Sequence, residues 1–394
     1  MSLHLIVGPV FSGKTTELIR EGRRYASIHW NILFIKPKAS DSQTTHTQYE
    51  WKDTLRVHAL SEATSRIPGV SMVLLDDAHF FSQDDWDTVQ DWIQTHGTIV
   101  RAAGLDSNAM GALYTNFLAQ IPHAETIQKL TALLRAESPT STRFEEGTLS
   151  QEGADDNFAE ERKMLLQMSP VSELTKETFL NQQQPGEKQK QKQHYFPGRT
   201  KGDLTLILGP MFAGKTTELL RQATRYFHAG AHILLINHEW NVRYGTVEIC
   251  SHDGTQASPH HGQWNSPRVH FMRTEHLKTI PMGSGTWGKI DAVFVEEGQF
   301  FDDVEEVVPQ WLIEGKQVYI SGLDGDAERK PFGGMCWLVP WAKQVRKQCA
   351  LCHLCGDGTE APFTRRLAAP SQEGTPVDVG AADKYEAVCR RHWS

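Results

Sequence analysis

No cysteine precedes Cys250 in this 394-residue chain, and all six lie at 250, 336, 349, 352, 355 and 389. A chain-wide disulfide framework is thereby excluded. Three of the six crowd into KQCALCHLC, which suggests metal ligation in a reducing compartment. Positive charge is also in short supply: 40 Lys and Arg face 48 Asp and Glu, a net charge of -8 that offers no basic field to nucleic acid. No apolar run approaches the roughly eighteen residues of a membrane span. The N-terminal LHLIVG leads straight into a glycine-rich phrase rather than a cleavage site. The expectation is a cytosolic protein with no nucleic-acid partner and no membrane association. The length suffices for two domains, each with its own core.

What is present is a phrase stated twice. VGPVFSGKTTELIR (7–20) and LGPMFAGKTTELLR (208–221) lie 201 positions apart. The offset becomes 220 at LLDDAHFF (74–81) and VFVEEGQFF (293–301). It then settles at 218, pairing AGLDSNAMGALYTNFLAQIP (103–122) with SGLDGDAERKPFGGMCWLVP (321–340) and KLTALL (129–134) with KQCALC (347–352). The halves read as a diverged duplication. Each runs strand, glycine loop, helix, strand, acid-ended strand, helix, strand, which argues for an α/β fold with a parallel sheet. Strands are expected at 3–7, 31–36, 72–77 and 98–103, and at 204–208, 232–237, 291–297 and 317–323, all short and rich in Val, Ile and Leu. Two P-loop NTPase-type, RecA-like domains are expected, at 1–137 and 201–394. Residues 138–200, including NQQQPGEKQKQKQ, read as a solvated linker with room for a short helix near 158–168.

Both phrases satisfy G-x-x-x-x-G-K-T, from Gly8 through Gly13, Lys14 and Thr15, and from Gly209 through Gly214, Lys215 and Thr216. Such a loop turns backbone N–H groups around phosphate oxygens, the following helix adds its positive end, and the lysine reaches the outer phosphates. Thr216 is placed to ligate Mg2+. A glycine-rich helix start with a solvated lysine is the bland alternative; the preceding strand and following amphipathic stretch argue against it. No N-K-x-D guanine motif follows, which favours ATP.

VFVEEGQF sets Glu296 and Glu297 at the end of a buried strand, where ligand crevices form in open parallel sheets. Neighbouring side chains on a strand point opposite ways, so one acid can face the metal and the other an acceptor. Phosphoryl transfer to a hydroxyl needs that division. Paired acids also occur as solvated strand caps, but a phosphate loop upstream favours the chemical reading. Cys352-x-x-Cys355 and, after 33 intervening residues, Cys389-x-x-His392 match a closed tetrahedral structural Zn2+ site. Cys250, Cys336 and Cys349 fall outside that pattern.

These landmarks make the second half resemble the type II, zinc-containing thymidine kinases. The resemblance covers about 202–394: LGPMFAGKTTELLR, NVRY (241–244), CSHDG (250–254), VEEGQFF (295–301), LDGDAERKPFG (323–333), the CxxC, TRRL (364–367) and GAADKYEAVCRRHW (380–393). It implies ATP-dependent phosphorylation of the 5′-hydroxyl of thymidine, and of deoxyuridine, in nucleoside salvage. In the implied site Glu297 is the general base and Glu296 the metal-linked acid. ATP and magnesium are held by Gly209, Pro210, Met211, Phe212, Ala213, Gly214, Lys215, Thr216, Asn241, Arg243, Gln299 and Arg366. The base pocket is lined by Met211, Phe300, Leu323, Ala327, Phe332 and Thr364. A zinc-stapled lasso, about 343–394, closes over thymine with Pro376, Val377, Asp378, Val379, Gly380 and Tyr385. The sequence departs from the family where Asn241 replaces Asp, Glu296 replaces Asp, and Ala327 stands where many members have an aromatic.

The first half keeps its phosphate loop but has Asp77 at the base position, GALYT (111–115) in place of RKPFG, Ser42 in place of the arginine, and Leu134 and Glu137 where cysteines would stand. It is expected to be a degenerate copy with a residual nucleotide site at Gly8, Gly13, Lys14 and Thr15. Its expected role is to pack on its sibling as an internal pseudo-dimer, open to further homo-oligomer assembly. Two competing readings are an ATP-switched zinc module that binds nucleic acid, disfavoured by the acidic balance, and a non-catalytic scaffold.

Overall fold

The computed structural model describes residues 2–10, 12–40, 51, 54–108, 111–132, 202–240, 249–250, 256–259, 262–367 and 384–393. The expected linker at 138–200 and its short helix lie outside these, as do Ser42, Leu134, Glu137, Asn241, Arg243 and 376–380.

In the first half, β1 (Ser2–Val7), α1 (Lys14–Ala26), β2 (Ile32–Pro37), β3 (Thr54–Val57), β4 (Met72–Leu75), α2 (Gln83–His96), β5 (Ile99–Gly104), the short α3 (Thr115–Leu118) and β6 (Thr126–Lys129) follow in chain order. The strands pair as β3-β2-β4-β5-β1-β6, parallel throughout. Burial on both faces explains why MVLL in β4 carries no polar residue at all. Ser82 starts α2 by accepting from the Asp85 N–H, while the Asp85 carboxylate accepts from the Ser82 N–H, a reciprocal cap.

The second half repeats this order. It comprises β7 (Leu204–Leu208), α4 (Lys215–His228), β8 (Ile233–His238), a two-residue pair β9 (Ile249–Cys250) and β10 (Gln256–Ala257), β11 (Val269–Thr274), α5 (Gly285–Lys289), β12 (Ala292–Val295), α6 (Val304–Ile313), β13 (Gln317–Gly322) and β14 (Ala342–Lys347). Its sheet runs β11-β8-β12-β13-β7-β14, again all parallel, and is the first sheet strand for strand. Beyond it come β15 (Ala350–Leu351), β16 (Glu360–Ala361), β17 (Phe363–Arg366), β18 (Tyr385–Val388) and the short α7 (Arg390–Trp393). The segment expected from about 343 onward as a stapled subdomain thus opens with β14, a strand of this sheet.

The two halves share one hydrophobic cluster, which includes Leu5, Phe117 and Ile121 from the first and Leu206, Leu338 and Val345 from the second. The edge strands β6 and β14 lie against each other at the seam. At that edge the Lys347 ammonium, fully buried, pairs with Asp324 at 2.5 Å and donates to the Ile121 carbonyl of the first half at 2.9 Å. Lys129 and Asp106 form the matching buried pair in the first half.

Removing one partner of a buried ion pair strands the other charge, at a cost of about 3–5 kcal/mol. Lys347→Met is therefore expected to lower the denaturant midpoint of the second half's unfolding by a corresponding amount; an unchanged midpoint in urea would show that the pair adds no stability.

Candidate active site

Gly209 has φ 144°, and a Cβ there would lie 2.4 Å from the Gln348 carbonyl oxygen, so only glycine lets the loop pass. Gly214, at φ 74°, ends the loop in the left-handed region, and α4 starts at Lys215. Lys215 Nζ folds back on the loop and donates to the Pro210 carbonyl at 2.7 Å. Thr216 turns the other way: its hydroxyl donates to Glu296 Oε1 at 2.5 Å.

Glu296 is 3% exposed, and the Ser321 hydroxyl donates to its second oxygen. Burial, and then the neighbouring Glu297 carboxylate, push its pKa up to about 7, against the pull of the Ser321 and Thr216 bonds and of Lys215. Glu297 does not lie on the strand as the sequence suggests. β12 ends at Val295, and Glu297 sits past it at φ 53°, so the two carboxylates diverge through a left-handed turn rather than strand alternation. Gln299 then fixes Glu297: its Nε2 donates to Glu297 Oε2 at 2.6 Å while its Oε1 accepts from the Leu323 N–H at 2.9 Å. These two contacts link the base candidate to Leu323, the residue that follows β13.

Several expected site residues meet in pairs. Phe300 and Phe332 meet edge to face at 5.8 Å. The Met211 N–H in the phosphate loop donates to the Thr364 hydroxyl on β17 at 3.0 Å, both residues being buried, and this bond ties the subdomain after β14 to the loop. Arg366 donates to the Tyr385 hydroxyl at 3.3 Å. The Ala327 carbonyl accepts from the Trp393 indole at 3.2 Å. His238 and Trp240, not singled out from sequence, pack near Phe300 at 5.7 and 6.1 Å. Their place just at and after the end of β8, on the ligand-bearing edge of a parallel sheet, was the available signal.

The four expected metal ligands are brought together, all their donor atoms within 4.8 Å of one another. His392 Nδ1 lies 3.5 Å from Cys352 Sγ, 3.3 Å from Cys355 Sγ and 3.5 Å from Cys389 Sγ, and Cys355 and Cys389 are 3.7 Å apart. A tetrahedron with Zn–S near 2.3 Å and Zn–N near 2.0–2.1 Å has edges of about 3.5–3.8 Å. The set fits a zinc ion in size and in donor chemistry. The Cys389 N–H also donates to Cys352 Sγ at 3.3 Å, which favours a thiolate there.

In the first half Gly13 (φ 82°), Lys14 and Thr15 reproduce the loop, with Lys14 donating to the Pro9 carbonyl at 2.6 Å and Thr15 to Asp76 at 2.9 Å. Burial lowers the Lys14 pKa to about 8. Asp77 holds the same left-handed turn at φ 52°, and the Ser40 hydroxyl donates to it at 2.5 Å. The acids nevertheless differ: Asp76 pairs with the Lys36 ammonium at 2.8 Å, whereas the residue at that strand position in the second half is Asn237. Even without RKPFG the hairpin persists, the Ser107–Leu113 bridge matching Gly325–Pro331.

Two parallel sheets, each with a glycine loop of this kind at its ligand-bearing strand ends, define a protein of the P-loop class. The sequence profile of the family described as thymidine kinase matches residues 1–160 and 202–393. The chain belongs to the thymidine kinase family. It is 35% identical over 194 residues to a thymidine kinase of rice (Oryza sativa subsp. japonica), covering 49% of this chain and 66% of that one. The human cytosolic thymidine kinase is 35% identical over 196 residues, 49% of this chain and 74% of its own. The thymidine kinase of vaccinia virus (strain Ankara) is 34% identical over 191 residues, 48% of this chain and 96% of its own.

Glu296 makes the site sensitive to pH in a definite direction. A carboxyl whose folded pKa is raised from 4.5 to about 7 contributes stability that is present below the unfolded value and lost as pH rises through 7. Between pH 5 and 8 the melting temperature of the ligand-free Glu296→Gln chain should therefore fall less than that of wild type; equal falls would contradict a raised pKa.

Proposed function

We propose that the second half transfers the γ-phosphoryl group of ATP to the 5′-hydroxyl of thymidine, and of deoxyuridine, giving the nucleoside monophosphate and ADP for salvage in the cytosol. The observation that carries this reading is the separation of two adjacent carboxylates: Glu296 faces Thr216 of the phosphate loop, while Glu297 is turned away and held by Gln299 next to Phe300. The 5′ oxygen attacks the γ-phosphorus, the bond from that phosphorus to the bridging oxygen breaks, and the hydroxyl proton passes to Glu297. Lys215 and the loop N–H groups hold the phosphates, with Arg243 and Arg366 assigned beside them. Thr216 and Glu296 offer the hard oxygen donors that would hold magnesium, which supplies charge neutralisation when bound. Phe300, Phe332, Met211, Leu323, Thr364 and Tyr385 are assigned to the nucleoside, and 376–380, outside the described residues, are assigned to its base.

Cys352, Cys355, Cys389 and His392 are assigned to structural zinc. Their closed N/S set leaves no open position for chemistry. The first half is proposed to be a degenerate copy that pairs with the second as an internal pseudo-dimer. Its neutralised Asp76, its shorter base Asp77 and the loss of RKPFG support that assignment.

In the full chain, with ATP, magnesium and a nucleoside panel, Glu297→Gln is expected to lower kcat about 100-fold or more while ATP affinity changes little. Absence of turnover with every pyrimidine nucleoside in wild type would overturn the assignment and favour a scaffold. Wild type should also hold about one zinc per chain, and Cys355→Ser should lose it; equal metal content in the two would remove zinc from the scheme.

A further inference from the structure

The seam between the halves passes directly beside the proposed zinc staple. Two of its ligands, Cys389 and His392, flank Arg390 at the start of α7. Arg390 does not turn to its own half for a countercharge. Its Nε donates to Glu125 Oε1 of the first half at 2.6 Å, a second nitrogen reaches Glu125 Oε2 at 3.0 Å, and further donors go to Gln90 at 3.2 Å and to the His123 carbonyl. Both charged side chains are largely buried, at 7% and 16% exposure. The geometry is the bidentate fork that makes arginine pairs both strong and directional. Glu125 is itself anchored, its Oε2 accepting from the Leu3 N–H at 2.6 Å.

The second half presents mostly cations at this seam. Lys347 donates to the Ile121 carbonyl, and Arg329 stacks on Trp393 of α7, with 3.8 Å from its guanidinium carbon to the ring centre. The first half answers with Glu125 and backbone carbonyls. In the second half the position equivalent to Glu125, at the 218-residue offset, is Lys343, which sits at the bulge near the start of β14 as Glu125 sits just before β6, and Lys343 pairs with Asp203 at 2.7 Å. A second copy of the catalytic half, docked as the first half is docked, would set Lys343 against Arg390.

We propose that the first half is a built-in positioning partner, and that Glu125, through Arg390, holds α7 and with it the proposed zinc staple and the strands β17 and β18, which carry Thr364 and Tyr385. The charge at 125 selects the first half over a second catalytic half at this face. Glu125 acts through Arg390 and is a positioning residue. The inference rests on the zinc and nucleoside assignments above, and its test is separable from theirs.

The test is a double-mutant cycle in the full-length chain, using Glu125→Gln, Arg390→Met and both together, with Glu125→Lys as the mimic of a second catalytic half. Two quantities are read: the rate at which bound zinc passes to a chelating dye, and the nucleoside KM separately from kcat. Each single variant is expected to speed zinc release about tenfold and to raise KM, with kcat within about twofold of wild type. The double variant should be no worse than the worse single, and Glu125→Lys should exceed Glu125→Gln. Arg390→Met keeps the reading available should Glu125→Gln weaken the first half through Leu3. Wild-type rates and KM in Glu125→Gln and Glu125→Lys would overturn the proposal, as would effects that multiply in the double variant. If wild type holds no zinc, the staple assignment fails alone. The coupling is then read from alkylation rates of Cys352, Cys355 and Cys389, which rise in both single variants if the pair holds α7 and stay at wild-type values if it does not.

Discussion

One carboxylate shut away from water, Glu296, sets the terms for the second half. An ionisable group so buried is tolerated only where hydrogen bonds meet it. Here they come from Thr216 at the start of α4 and Ser321 on β13, while Glu296 itself follows β12. Three elements are thereby held to one point, and the phosphate loop, which lies between β7 and α4, is fixed with them. Even so the pKa stays raised, so a negative charge at Glu296 is unfavourable in the free protein, where a cation would be welcome. Stability is given up at this point for a site arranged before its ligand arrives.

The same frame recurs in the first half, and comparing the two separates what the backbone preserves from what side chains can lose. Both halves keep the strand order, the left-handed residue after the acidic strand, the hairpin bridge and a buried Lys–Asp pair at the edge strand. These features hold the chain in its course, and altering any one would disturb packing. The differences sit in side chains that a fold can do without: Lys36 for Asn237, Asp77 for Glu297, Tyr114 for Phe332. In the first half an ammonium already pairs with the acid whose counterpart in the second half accepts from the Thr216 and Ser321 hydroxyls.

The central strands were legible because both of their faces are buried, so runs such as ILLI in β8 and LTLIL in β7 have almost no polar residue to obscure them. The edge strands were not. TLRV, TIQK, VHFMRT and AKQVRK mix charge with apolar residues because one side of each meets solvent or the other half, and no period distinguishes them from loop. The metal set was legible from local spacing, two x-x pairs being a short-range signal. The Asp324–Lys347 pair and the role of Gln299 had no such signal, since each depends on segments that only the fold brings together.

A fused pair of related domains also escapes a limit that binds a homodimer. In a two-fold interface every contact is made twice, so a charge that suits one partner must suit its mate. Here Arg390 meets Glu125 while the corresponding position of the second half is free to be Lys343. Covalent connection keeps the partner at high effective concentration, so the seam has no need to be large to persist. On the proposed reading, selection on the first half is relieved of catalysis but not of shape: Ile121 meets Lys347, while His123 and Glu125 meet Arg390, which lies between Cys389 and His392 of the proposed metal set.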